Sequence, residues 1–117
     1  MGRLNDWEAR LTKFVEDTRG KPYDGLEWNC CLFARDCVQA LTGTLLPAVW
    51  RGSVIDTADG AGLPRIAPRE AQRGDLVLAE IPEPTIGVCL GRKSAFVGPQ
   101  GFSLLRTSRA KTAWRVG

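Results

Sequence analysis

An α+β fold, with helices first and a mostly antiparallel sheet after them, is what this sequence predicts, and three observations carry the prediction. Two stretches near the N-terminus repeat apolar residues at helical spacing. From Arg73 onward the pattern changes to short apolar runs of strand length, and Gly, Pro or charged turns separate those runs. Size argues for a single domain over residues 1–117, because 117 residues with 44% hydrophobic and 25% charged content suit one modest core.

The first helix is read from Asn5, an N-cap type with Glu8 three residues on as its capping-box partner, followed by Trp7, Leu11, Phe14 and Val15 at helical spacing. Gly20 and Pro22 close it. The second helix runs from about Asn29 to Thr42, with Asn29 as N-cap and Gly43 past its end. Its buried stripe is predicted as Cys30, Ala34, Cys37, Val38 and Leu41, with Phe33 at the margin. Pro47 opens a short helix carrying Ala48, Val49 and Trp50. The glycines and prolines from Gly52 to Pro68 then mark turns, so residues 44–72 receive no firmer assignment. Arg73-Gly74-Asp75 reads as the turn that starts the sheet rather than as an adhesion tripeptide. The about five strand candidates beyond it are Leu76–Ile81, Ile86–Leu90, Ala95–Val97, Phe102–Arg106 and Thr112–Val116.

The net charge is only +3, and the basic residues are scattered, although Arg92, Lys93, Arg106, Arg109, Lys111 and Arg115 make the last quarter locally basic. That pattern reads as a solvated surface rather than a nucleic-acid site. No run approaches the ~20 apolar residues of a membrane span, and the N-terminus lacks the apolar core of a signal peptide, so synthesis in the cytosol is expected. In that reducing compartment the four cysteines are expected as free thiols. Cys30 and Cys31 are adjacent, Cys37 follows two helical turns later and Cys89 is distant, which is not the paired spacing of a zinc or iron–sulfur site. No metal or cofactor is expected. Cys31, Cys37 and Cys89 read as small buried apolar residues.

Cys30 is different. It falls at the start of the second helix, where unpaired backbone N–H groups favour a thiolate, the form a cysteine nucleophile needs. Yet the chain contains no histidine, the usual acceptor of the thiol proton and donor to the leaving amine. The structural reading, a small residue seating the helix, is therefore preferred to a retained nucleophile. Tyr23 and Trp28 likewise read either as packing anchors or as the lining of a groove beside Cys30. Trp7, Trp50 and Trp114 read as core or partner-contact residues. Asp36 and Glu27 read as solvated.

In order along the chain, Lys21-Pro22-Tyr23, then Cys30 with Phe33 three residues later, Arg73-Gly74-Asp75-Leu76-Val77-Leu78, Ile86-Gly87-Val88-Cys89-Leu90-Gly91 and the closing Ala113-Trp114-Arg115-Val116 resemble the NlpC-like cell-wall cysteine peptidases. These are small papain-like enzymes that cut peptide bonds in peptidoglycan, and the likeness is to their short bacteriophage and prophage tail forms. The resemblance implies a papain-like, NlpC-type fold with Cys30 at the nucleophile position and Tyr23 shaping a substrate groove, flanked by Trp28 and Asn29. Asn29 stands where the family has an aspartate. Thr85 falls on the catalytic histidine, and the third polar member falls near Gly98. A threonine hydroxyl is far too weak a base, and loss of general base and orienter together leaves little turnover.

The resemblance thus implies an inactive relative of a peptidase that serves as a structural component of a phage tail tip, or baseplate. It would be made in the host bacterial cytoplasm and carried in the virion tail. Its expected partners are hub and central-fibre proteins, in several copies around the tail axis, with peptidoglycan as a further one; no nucleic-acid partner and no membrane span are expected. Two alternatives stand beside it: an active peptidoglycan hydrolase whose base comes from a partner subunit, and a binding module for cell-wall peptides that keeps the Tyr23 groove open.

Overall fold

A computed structural model describes residues 2–24, 28–46, 58–81 and 83–117. The short helix expected at Pro47, Trp50 within it, and Glu27 lie outside the described residues.

Helix α1 spans Trp7–Thr18 and buries Leu11, with Trp7, Phe14 and Val15 at the edge of the core. Its N-cap is Asp6, not Asn5, and the expected Asn5–Glu8 capping box is absent. Both residues are cap types, and the chain uses Asp6 without a side-chain cap bond: its carboxylate instead accepts from Arg10 Nε at 2.7 Å, one turn on. Helix α2 spans Cys30–Thr42. Asn29 caps it in an extended conformation, its Oδ1 accepting from the Leu32 N–H at 3.0 Å. Gly43 ends it at φ 75°, a left-handed conformation that other residues adopt only under strain.

The buried stripe of α2 differs from the expected one at both Phe33 and Cys30. Phe33 is fully buried, 5.3 Å from the Phe14 ring and edge-on to Trp28 at 6.0 Å, so it anchors α1 to α2 rather than standing at the margin. Cys30, expected within the stripe, is half-buried. As the first residue of the helix it has no preceding turn to cover it.

The strands are β1 (Arg65–Ile66), β2 (Leu76–Glu80), β3 (Pro84–Cys89), β4 (Lys93–Gly98), β5 (Gly101–Arg106) and β6 (Thr112–Trp114). Among the described residues they form one six-stranded antiparallel sheet in the order β1-β6-β2-β3-β4-β5. The fold is therefore α+β as expected, with β1 added to the about five strands read from sequence. Strand β6 returns from the far end of the chain to lie between β1 and β2.

Side chains alternate between two faces, as the pleat requires. Leu76, Leu78, Ile86, Val88, Ala95, Val97 and Trp114 join Phe33, Val38 and Leu41 in the main core under α2. Val77, Ala79, Cys89, Phe96 and Ala113 form a second cluster, covered by Ile66, Ala71, Ile81, Leu105 and Ala110. Gly87 is fixed by this second layer. A Cβ there would run into the Ala95 carbonyl and the Phe96 ring, so β3 and β4 close up only over glycine.

Asp75, read from sequence as part of a turn, is fully buried. Its Oδ1 accepts from Arg3 Nη2 and from the Val116 N–H, each at 3.0 Å. Its Oδ2 accepts from the Gln72 N–H at 2.9 Å and from Arg115 Nε at 3.2 Å. Arg3 continues the tie, donating from Nε to the Val116 carbonyl at 2.7 Å and lying over the Trp7 ring at 4.3 Å. A buried carboxylate is tolerated only with such a set of partners.

A second carboxylate braces the other edge of the sheet. Asp59 Oδ1 accepts from Arg65 Nε at 2.9 Å and from Trp114 Nε1 at 3.0 Å. The Arg65 bond first, and the Trp114 bond after it, hold the carboxyl down at about 2. Because the folded value lies below the unfolded one, this stabilisation is present above the ordinary carboxylate range and is lost as pH falls through about 2. Carboxyl-carbon NMR is expected to show Asp59 titrating near that pH, and Arg65→Gln is expected to move its midpoint up.

Among the described residues, no helix is long and apolar enough to cross a membrane.

Candidate functional site

Three pieces of chain build the candidate site: the loop before α2, the first turn of α2, and the start of β3. Asp24 folds the loop back, its N–H donating to the Trp28 carbonyl at 3.2 Å and its Oδ1 accepting from the Trp28 N–H at 3.0 Å. That closure delivers Asn29 to the cap position and Cys30 to the first helical residue. Helix α2 in turn packs on β3 and β4, which sets Cys30 against the backbone of Ile86.

The Cys30 thiol is held down to about 7 from an ordinary value of 9.0. The largest cause is a hydrogen bond from the Cys31 thiol; the backbone N–H groups of Ile86, Cys30 and Cys31 add to it, and together they outweigh burial, which acts in the opposite sense. Cys31 is raised for the complementary reason: it holds its proton in the bond to Cys30, is partly buried, and would share a site with a neighbouring negative charge. Burial pushes Cys37 up to about 12. The two thiols at the helix start are thus distinct from the buried ones, one poised to ionise and the other its proton-bearing neighbour.

Each residue singled out from sequence has a definite place. Asn29 is committed to the helix cap. Tyr23 is half-buried against the main core. Trp28 is only 2% exposed, so its ring forms part of the core beneath the site rather than an open groove wall. Lys21 Nζ lies 3.8 Å from the centroid of that ring. Trp28 Nε1 is buried with no hydrogen-bond partner among the described residues.

Thr85 pairs with Ala79 across β2 and β3, and Ala79 belongs to the second cluster. Cross-strand partners share a face, so the Thr85 side chain emerges on the side away from α2, and its hydroxyl donates to the Glu83 carbonyl at 3.0 Å. Gly98, two residues beyond Phe96 on β4 and past the last β3–β4 pair, Gly87↔Phe96, falls on that same face. Both positions therefore lie on the face of the sheet away from α2 and Cys30, so a base at either would not face the thiol.

A family profile described as a domain of unknown function, DUF6950, matches residues 2–62 and 52–116, nearly the whole chain. The chain belongs to the DUF6950 family. No curated protein matches it.

In this DUF6950 domain the sequence reading missed two contributors to the site. Cys31 was read as a buried apolar residue, yet it is only partly buried, and its thiol is the largest influence lowering its neighbour Cys30; the adjacency of two cysteines at a helix start was the available signal. The Ile86 N–H leaves no trace in residue identity, since any residue but proline supplies that donor.

Proposed function

We propose that this DUF6950 domain is a papain-like domain of the NlpC type that keeps the seat of a cysteine nucleophile without the base to use it, and that it serves as a structural component of a phage or prophage tail tip. One observation carries the reading. A half-buried thiol occupies the first position of a helix that packs on the sheet, next to a backbone N–H of β3, in a chain without histidine. A helix-start thiol against a strand is the arrangement such a peptidase needs. General acid–base assistance typically supplies ~10²–10⁴-fold in rate, and a chain without histidine has no imidazole to supply it. The architecture is kept for packing, and the expected partners are the hub and central-fibre proteins of the tail tip.

The purified protein is expected to release no product from muropeptides, and Cys30→Ala is expected to leave particle assembly intact. Cleavage by the isolated chain that disappears in Cys30→Ser would overturn the reading.

The lowered, partly accessible Cys30 thiol favours a second reading, an active peptidoglycan hydrolase completed by a base from a neighbouring subunit. The thiolate would be ready, and the missing element is a proton donor for the leaving amine. Under this reading the assembled tip digests peptidoglycan, the isolated chain does not, and Cys30→Ser abolishes the activity of the assembly.

A further inference from the structure

At the other end of β3 and β4 from Cys30 lies a groove of about 980 Å³, walled by the 3-10 turn at Pro68–Glu70, the β3–β4 turn at Gly91–Arg92 and the 3-10 turn at Thr107–Arg109. Ile86 and Cys89 are three residues apart along β3, about 10 Å, and the groove begins beyond Cys89, at the opposite end of the strand from the thiol. Arg69, Arg92, Lys93 and Arg106 line it, together with Thr107 and Ser108. All four basic side chains belong to exposed residues. Among the described residues none of the four is in an ion pair, although Arg3, Arg10, Lys13, Arg35, Arg65 and Arg115 all are. Among the described residues, no carboxylate lines the groove.

Converging like charges raise each other's energy, and these four cations, outside any ion pair among the described residues, make the groove a site of positive potential. The floor is built rather than incidental. Thr107 Oγ1 donates to the Gly91 carbonyl at 2.6 Å and meets Ser94 Oγ at 2.8 Å. The Thr107 N–H donates to the Arg92 carbonyl at 2.8 Å. These bonds fix the two turns that carry Arg92 and Arg106 against each other.

We infer that this groove binds an extended acidic segment of a partner protein. Three features favour a peptide over other anions. The volume far exceeds a single phosphate or carboxylate, and the charges are spread along it. Among the described residues no aromatic ring lines it, and stacking on such rings is how single-stranded nucleic acid is held. Lys93 and Arg106 are cross-strand partners at the end of β4 and β5, and β5 is the last strand in the sheet order. The Lys93 and Arg106 charges therefore stand side by side at the groove, where the carboxylates of an extended acidic segment would meet them together with Arg69 and Arg92.

The test uses the full chain and a fluorescein-labelled ten-residue Glu/Asp-rich peptide, with a Gln/Asn counterpart, in anisotropy titrations. The acidic peptide is expected to bind and the neutral one not. Binding should weaken as salt rises from about 50 to about 300 mM, because exposed charges are screened. The double variant Arg92→Glu/Arg106→Glu is expected to weaken binding about tenfold or more, with an unchanged circular dichroism spectrum. Should that variant misfold, amide shift mapping on the wild-type chain decides: shifts centred on Gly91, Arg92, Thr107 and Ser108 support the inference. Equal binding of both peptides, shifts centred elsewhere, or displacement by inorganic phosphate or an oligonucleotide of equal charge at lower concentration would overturn it. Failure here leaves the Cys30 reading untouched, since that is tested by cleavage and assembly.

Discussion

Asp75→Ala is expected to destabilise the protein by about 3–5 kcal/mol, the range found when one member of a buried charged pair is removed. Four donors converge on this carboxylate: two guanidinium groups and the N–H groups of Gln72 and Val116. Alanine strands all of them. The Arg3 guanidinium is the worst placed, since its side chain is only 15% exposed and has little access to water. Asp75→Asn keeps an acceptor but presents an NH₂ group to donors on its other side, so it is expected to lose a smaller part. Chemical denaturation reads both as a lower midpoint at unchanged slope. The control is Asp17→Ala, which breaks an exposed pair with Lys13 and should cost at most about 0.5 kcal/mol. Comparable losses for Asp75 and Asp17 would refute the role assigned to the buried carboxylate.

Alkylation of Cys30 by iodoacetamide is expected to rise with a midpoint near pH 7, while the buried Cys37 and Cys89 stay unmodified in the folded protein. The thiolate is the reacting form, so the rate falls below that pH and reaches its plateau above it. At pH 7 the larger thiolate fraction outweighs the lower intrinsic nucleophilicity, leaving a net gain on the order of fivefold over a thiol of ordinary value. Removing the Cys31 hydrogen bond with Cys31→Ala should move the midpoint upward, since that bond is the largest cause of the lowering. A midpoint that stays put in Cys31→Ala, or labelling that falls on Cys31 by mass spectrometry, would count against the site as described. A reactive thiol with no peptide cleavage is the combination expected of a seat without a base.

Much of this was legible in the sequence where the signal is local. Asn29 and Gly43 bracket α2 because each end of that helix is settled by a single residue's side chain or backbone freedom. The strands from β2 to β6 announce themselves by apolar runs between turns. Strand β1 does not: at two residues, Arg65–Ile66 is too short to display alternation, and β6 defines it by pairing from far along the chain. The α1 cap was misplaced by one residue because Asn5 and Asp6 are both cap types, and Asp6 prefers the Arg10 bond. Asp75 was opaque for a deeper reason. Its burial depends on Arg3 and Arg115, which lie 72 and 40 residues away, and no window of sequence contains that meeting. At the candidate site the helix-start cysteine could be read, whereas its β3 neighbour could not, because a backbone N–H has no residue signature.

The clasp around Asp75 has a topological consequence. Arg3 is bonded to the Val116 carbonyl, so the two ends of the chain lie side by side. A few added residues could join them, which makes this fold a candidate for circular permutation, with new ends cut at an exposed turn. By the same geometry, any polypeptide fused at either terminus enters and leaves at one spot, and the domain can be carried as a cassette within a longer chain without opening its core.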